Sequence, residues 1–367
     1  MLTEQFIKKL KQTTSSTHFR KRMEEFVYFM EQSIGGERFI DVLQKIAFSY
    51  PLYTTTQGSD RVYNASDVQA LALDFYQDFD SSLGIRAEAI LSNNNPQIHA
   101  ELSDSYTSHG YVNHCDNNDY ITLRCELDNS ISSSIILVHE LSHALSNNLT
   151  ILAKLSKKLI NSKDESVSRT IKNHIRNLSC LKPIRRDAVG EIESHIFELL
   201  YCDYLLQKGL VSEDYVHSFH NLNQVSMYNN ILTLVEDYTC IKSITYPINK
   251  MNLETNLAKS NISLGHLTDF YNRFMDIGFM FRHQLRYVVA EIIATDWFDK
   301  YSLSSPRTQS NMRTRLKKYL DSCYNQDVES ACKLLLKKNL STSVQDFIKI
   351  KNRSIITKDD YEEQKLL

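Results

Sequence analysis

The sequence predicts a mainly α-helical fold with one small antiparallel sheet. Three observations carry this. The 367 residues include only 9 glycines and 5 prolines, few for the turns a sheet-rich fold needs. Apolar residues recur at helical spacing over most of the chain. Strict alternation is clearest in one stretch, where Ile121, Leu123, Cys125 and Leu127 interleave with Tyr120, Thr122, Arg124 and Glu126. A hydrophobic content of 42% is enough to bury a sizeable core, in one large domain or two smaller ones.

Residues 1–48 read as one or two amphipathic helices broken near Gly35 and Gly36. Tyr50 to Asn64 is turn-like. Ser66 is a candidate N-cap for a helix through about Phe79, with Val68, Leu71, Leu73 and Phe75 on its apolar face. SNNNP, residues 92–96, is a loop. Gly110 to His114 can pair with the strand at 120–127 through the polar turn 116–119, which gives the small sheet. Beyond it the pattern is helical, at about 131–147, 150–160, 166–178, 187–208, 212–237, 251–260, 266–301, 307–323, 327–338 and 343–351. KDDYEEQKLL at the end reads as a polar tail.

Composition narrows the function classes. A net charge of -2 provides no global field for nucleic acid or acidic membranes. The seven cysteines are odd in number and lack C-x-x-C spacing, so a disulfide framework is not expected and a reducing compartment is. The N-terminus lacks the apolar core of a signal peptide, and no run approaches the roughly 20 apolar residues of a membrane span. A cytoplasmic protein is expected, and delivery into a host cytosol is compatible with the sequence. The basic stretch from Lys154 to Arg186 reads as a solvated face.

The chemistry concentrates at His139-Glu140-Leu141-Ser142-His143. Histidines at i and i+4 lie about one turn apart on one helix face and can grip one zinc ion. Glu140 points to the side, where it can reach an attacking water without ligating the metal. Asn129 or Ser130 can cap this helix, and Ile131, Ile135, Val138, Leu145 and Leu149 give it an apolar stripe. Two histidines and a glutamate on a core helix need compensation, and a metal ion is the simplest source.

A catalytic zinc takes three protein ligands and keeps a position for water. His143 is followed six residues later by Leu149, so the third ligand comes from elsewhere. The best source is DAVGEIESHIFELLYCDYLLQKG, where Asp187 can cap a helix and Gly209 can end it. Glu191, Ser194, His195, Glu198 and Cys202 form a polar stripe along it. Glu191 is the expected ligand, with Glu193 and His195 as fallbacks, and Glu198 can receive a ligand histidine's free N–H.

These residues resemble the thimet oligopeptidase / oligoendopeptidase F family of zinc peptidases. YITLRCELDNSISSSIILVHELSHAL is similar to that family's strand, turn and zinc helix. EIESHIFE is similar to its Glu-x-x-Ser-x-x-x-Glu motif, which carries the third ligand to Glu191 and sets Ser194 and Glu198 in their places. RYVVAEIIATDWF resembles its late helix, where Tyr287 takes the place of a tyrosine that reaches the scissile carbonyl, with His283 one turn earlier. SHGYV, residues 108–112, is loosely similar to the family's substrate strand. Ser142 stands where the family usually has glycine, the segment between His143 and Glu191 is longer, and Gln284 and Met280 stand where further tyrosines are usual.

The resemblance implies a zincin-like helical metallopeptidase of gluzincin type, with the sheet beside the zinc helix. The resemblance covers about residues 60–350, and the chain is expected to divide into an N-terminal helical region over 1–105, a catalytic region over 106–350 and the tail over 351–367. The implied activity is endopeptidase hydrolysis with one zinc per chain, Glu140 as general base, and Tyr287 and His283 assisting. Most of the N-terminal half of typical members has no counterpart here. Two substrate ranges therefore fit: short peptides, or one protein target, as for a bacterial toxin or delivered effector. Strand 120–127 is expected to bind an extended peptide by strand addition. The rival is a non-catalytic scaffold with a structural zinc, against which Glu140 argues, since a purely structural site has no use for that carboxylate.

Overall fold

The structure, a computed structural model, describes residues 4–15, 17–34, 63–95, 98–106, 109–114, 121–128, 130–146, 189–244, 250–259, 280–322 and 327–350, with a few residues between 263 and 268. The expected helices at 150–160 and 166–178, the basic stretch, Asp187, the break at Gly35 and Gly36, the turn at 116–119 and the tail lie outside them.

The chain is mainly helical, as expected. The N-terminal helices are α1 (Glu4–Ser15) and α2 (Thr17–Phe29), followed by α3 (Ala65–Phe79) and α4 (Ser81–Leu91). The N-cap of α3 is Asn64, not Ser66. Asn64 Oδ1 accepts from the Asp67 amide at 2.9 Å, and Asp67 Oδ2 accepts from the Asn64 amide at 3.2 Å. This reciprocal pair satisfies two backbone donors at once, which a serine inside the first turn does not. Helix α4 was not expected. It starts because the Asp80 carboxylate accepts from the amides of Ser82 and Leu83.

The sheet has three strands: β1 (Ile98–Asp104), β2 (His109–His114) and β3 (Ile121–Leu127). Their order is β1-β3-β2. The β2–β3 pair is antiparallel, as expected, but β1 runs parallel to β3 over seven residue pairs. The sheet is therefore mixed, and β3 is its centre rather than an edge.

Helix α5 (Ile131–Ser146) packs against β2 and β3. Its entry is organised by Asp128, whose carboxylate accepts from the Ser130 amide and from the hydroxyls of Ser130 and Ser133. Helix α6 (Ile192–Gln207) crosses α5 and packs against α9 (Met280–Ser302). Gly209, at φ 65, ends α6: its amide reaches the Leu206 carbonyl and the Leu210 amide reaches that of Leu205. Between α6 and α9 run α7 (Glu213–Ser243), capped by Ser212, and α8 (Lys250–Lys259). The C-terminal helices are α10 (Pro306–Leu320), α11 (Val328–Leu336) and α12 (residues 340–350).

The core that fixes α5 is aromatic. Phe75, Tyr76 and Phe79 of α3 meet Phe197 of α6 edge-on or tilted, with centroids 5.2 to 6.2 Å apart. The buried Tyr76 hydroxyl donates to the Val138 carbonyl at 3.0 Å, one residue before His139. Among the described residues, no helix is long and apolar enough to cross a membrane.

Candidate metal centre

Helix α5 presents His139 and His143 from one face, and α6 brings Glu191 against them. The three donor atoms converge. His139 Nε2 and His143 Nε2 are 3.2 Å apart, and Glu191 Oε2 lies 3.3 Å from the first and 3.0 Å from the second. A tetrahedral ion with bonds of about 2.0–2.1 Å separates its ligand atoms by about 3.3 Å, so this triangle has the size of one face of such a site. Two imidazole nitrogens and one carboxylate oxygen are also the donor set of a catalytic zinc.

The outer nitrogen of each histidine is held by its own carboxylate. Glu198 Oε1 lies 2.7 Å from His139 Nδ1. Glu193 Oε1 lies 3.2 Å from His143 Nδ1 and accepts from the Ser146 hydroxyl at 3.0 Å. Carboxylates there hold the proton on Nδ1 and turn the Nε2 lone pair inward. Glu193 thus stands behind His143 and outside the donor triangle. A helical wheel sets it about 200° from Glu191. The helical repeat does not reach that far, because Glu191 is the N-cap of α6, with φ -128 and ψ 6. The Ser194 hydroxyl donates to the Glu191 carbonyl at 2.9 Å and lies 3.4 Å from Glu191 Oε2.

The electrostatics follow from burial among charges of both signs. Burial lowers the His139 imidazole, but the charges of Glu198 and Glu191 outweigh it and hold His139 at about 9. His143 is raised well above its ordinary value by Glu191 and Glu193 against the same burial cost. Burial raises Glu191, yet His143 and His139 hold it well below the usual carboxylate range. Glu140 is raised, first by burial, with Glu191 and Glu198 adding to this and the histidines opposing it. Without a metal, protons on the histidines offset the crowded acids.

Glu140 is buried beneath β2. A Cβ added at Gly110 would meet Glu140 Cγ at 2.5 Å and Cys125 Sγ at 3.0 Å, so only glycine lets the strand lie this close to the stem of Glu140.

Helix α9 closes the other side. Half-buried Tyr287 has its ring 5.7 Å from that of His195. Its phenol is pushed up to about 12 by burial and by the charge of Glu191, with Arg286 opposing, so it remains a proton donor. His195 does not join the donor triangle; its Nδ1 lies 3.3 Å from Glu291 Oε2 on α9. The Arg286 Nε lies 3.0 Å from Glu191 Oε1. Arg286 and Glu291 were not expected at the site, although both lie in the stretch that resembles the family's late helix. The side chain of His283 lies outside the described residues.

No protein-family model and no curated protein matches the chain. Among solved structures, the chain is similar to one described as an oligoendopeptidase F from Bacillus anthracis, at 11% identity and a TM-score of 0.53, covering 97% of this chain and 60% of that one. It is also similar to one described as a peptidase from Chlamydophila abortus, at 12% identity and a TM-score of 0.51, covering 93% of this chain and 55% of that one. The chain thus spans less than two thirds of the length of either, and it has their mainly helical fold.

Proposed function

We propose that the chain is a zinc-dependent endopeptidase related to the oligoendopeptidase F family. The observation that carries this reading is the triangle of His139 Nε2, His143 Nε2 and Glu191 Oε2, with a carboxylate behind each imidazole. The fold similarity supports a peptidase, and the buried glutamate beside the triangle supports catalysis over a structural zinc.

His139, His143 and Glu191 would hold the zinc ion, which would supply Lewis-acid polarisation of the scissile carbonyl and activation of water near neutral pH. Glu140 accepts the proton of the attacking water and passes it to the leaving amine. Its raised pKa suits both directions of that transfer. Tyr287 donates a hydrogen bond to the carbonyl oxygen as negative charge develops there. His283, one turn earlier on α9, is proposed to orient the substrate. Glu198, Glu193 and Ser194 hold the ligands in place.

The substrate is an extended peptide, from short oligopeptides or from one protein target. The strand that receives it is β2, not β3 as the sequence suggested. Both edges of β3 are already paired, whereas β2 is at the sheet edge, crosses Glu140 at Gly110 and carries the exposed Tyr111.

A peptide library digested with and without chelator tests this reading, with Glu140→Gln beside the wild type. We expect chelator-sensitive cleavage, and a variant that keeps its fold and zinc but loses at least about a hundredfold in rate. Cleavage indifferent to chelator, or a fully active variant, contradicts it.

A further inference from the structure

We propose that Arg286 is a positioning residue that assigns one oxygen of Glu191 to the metal and ties that ligand to Tyr287. This deepens the zinc reading and rests on it.

The two oxygens of Glu191 have opposite surroundings. Oε2 faces the two imidazoles at 3.0 and 3.3 Å. Oε1 forms an ion pair with Arg286 Nε at 3.0 Å. A ligand carboxylate whose second oxygen has no cation beside it can turn and bind through both. It then fills a position that a hydrolytic site keeps for water. With the guanidinium against Oε1, the second oxygen cannot turn toward the metal without giving up that ion pair. The charge is permanent, because arginine does not deprotonate in proteins.

The same side chain reaches the proposed oxyanion donor. The Arg286 guanidinium carbon lies 5.4 Å from the centroid of the Tyr287 ring, within the range of a cation–π contact. Arg286 therefore links α6, which carries the ligand, to α9, which carries the phenol. Its side chain is 34% exposed while that of Glu191 is 4% exposed. The Nε that faces Glu191 is itself buried, so the contact is shielded and only the outer part of the Arg286 side chain meets water. A planar guanidinium suits both contacts, whereas a lysine ammonium lacks the flat face.

The sign of the effect on zinc is diagnostic. A residue that merely props up the fold weakens zinc binding when removed. Arg286 restrains a ligand and adds positive charge beside the metal, so its loss should strengthen binding. The test compares the wild type with Arg286→Met and Arg286→Lys. Zinc affinity is measured by chelator competition, coordination number by X-ray absorption of the zinc-loaded protein, and folding by thermal melting.

We expect Arg286→Met to bind zinc about tenfold more tightly, opposite in sign to the loss that follows removal of a group supporting a ligand. Its coordination number should rise by one oxygen, and Arg286→Lys should return toward the wild type. If Arg286→Met does not fold, Arg286→Gln carries the same measurement. Unchanged coordination, or weaker binding by a folded variant, overturns the role of Arg286 and leaves the zinc reading standing. A wild-type chain that takes up no zinc overturns both.

Discussion

The two ends of helix α9 both bury charge, and they treat it differently. At the far end, the fully buried Asp296 contacts Lys338, lies 3.1 Å from Lys300 Nζ and accepts from the Ser343 hydroxyl at 2.6 Å. Asp346 adds a second acid, 2.7 Å from Lys338. Lys349 lies 3.3 Å from Asp346 as well, so two acids meet three lysines and each carboxylate has a cation beside it. At the near end, Glu140, Glu191, Glu193, Glu198 and Glu291 gather around three imidazoles, with Arg286 as a permanent cation. There the acids outnumber the fixed cations. Buried charge without a counter-charge is costly, so the surplus calls for protons or a metal ion. The paired cluster serves the architecture, and the unbalanced one suits the proposed metal site.

Removing Lys338 should break the far cluster alone. Lys338→Met leaves Asp296 without its closest cation and is expected to cost about 3–5 kcal/mol of stability. Denaturant melting measures the loss, and zinc content per folded chain should not change. A fall in zinc per folded chain would mean that the two clusters are not separate.

At the near end, Tyr287→Phe removes one hydroxyl. We expect a rate about tenfold to a thousandfold lower, with zinc content and melting temperature little changed. An unchanged turnover on a peptide the wild type cleaves reassigns Tyr287 to packing. Glu193→Ala removes the carboxylate behind His143 and is expected to weaken zinc binding by about tenfold to a hundredfold. Chelator competition measures this, and a variant with wild-type affinity shows that Glu193 does not orient the ligand.

A further expected effect is on pH dependence. His139 rises from 6.5 when exposed to about 9 in the folded chain. A group raised on folding contributes stability that is complete below the exposed value and is lost as pH rises through the folded one. The metal-free chain should therefore lose stability between about pH 6.5 and 9, with His143 adding in the same direction. The zinc-loaded chain should not show this loss. Melting curves of both forms across that interval decide, and identical slopes contradict the protonation described.

The helix of the candidate metal centre was legible because two histidines and a glutamate at that spacing are costly on an apolar helix unless a metal ion compensates them. Glu191 and Glu198 were legible through their seven-residue spacing and the family resemblance. Glu193 defeats a helical wheel, because Glu191 stands one residue before α6 begins. Arg286 and Glu291 carry no local signal, since their meaning depends on how α9 packs against α6. Strand β1 does carry one that the sequence reading passed over: Ile98, Ala100 and Leu102 alternate with His99, Glu101 and Ser103. The need for glycine at 110 is wholly tertiary, arising from the stem of Glu140 beneath it.

If the zinc reading holds, a metal ion takes the place of histidine protons in this acid-rich pocket. Calorimetric titration of metal-free protein with zinc near pH 7.5, repeated in buffers of different ionisation enthalpy, counts both metal and protons. With His139 at about 9 and His143 raised well above its ordinary value, we expect both imidazoles to carry a proton there before zinc binds. We expect one zinc per chain with about two protons released, because a histidine must be neutral to ligate. No saturable zinc binding, or binding of one zinc with no proton release, would contradict the account.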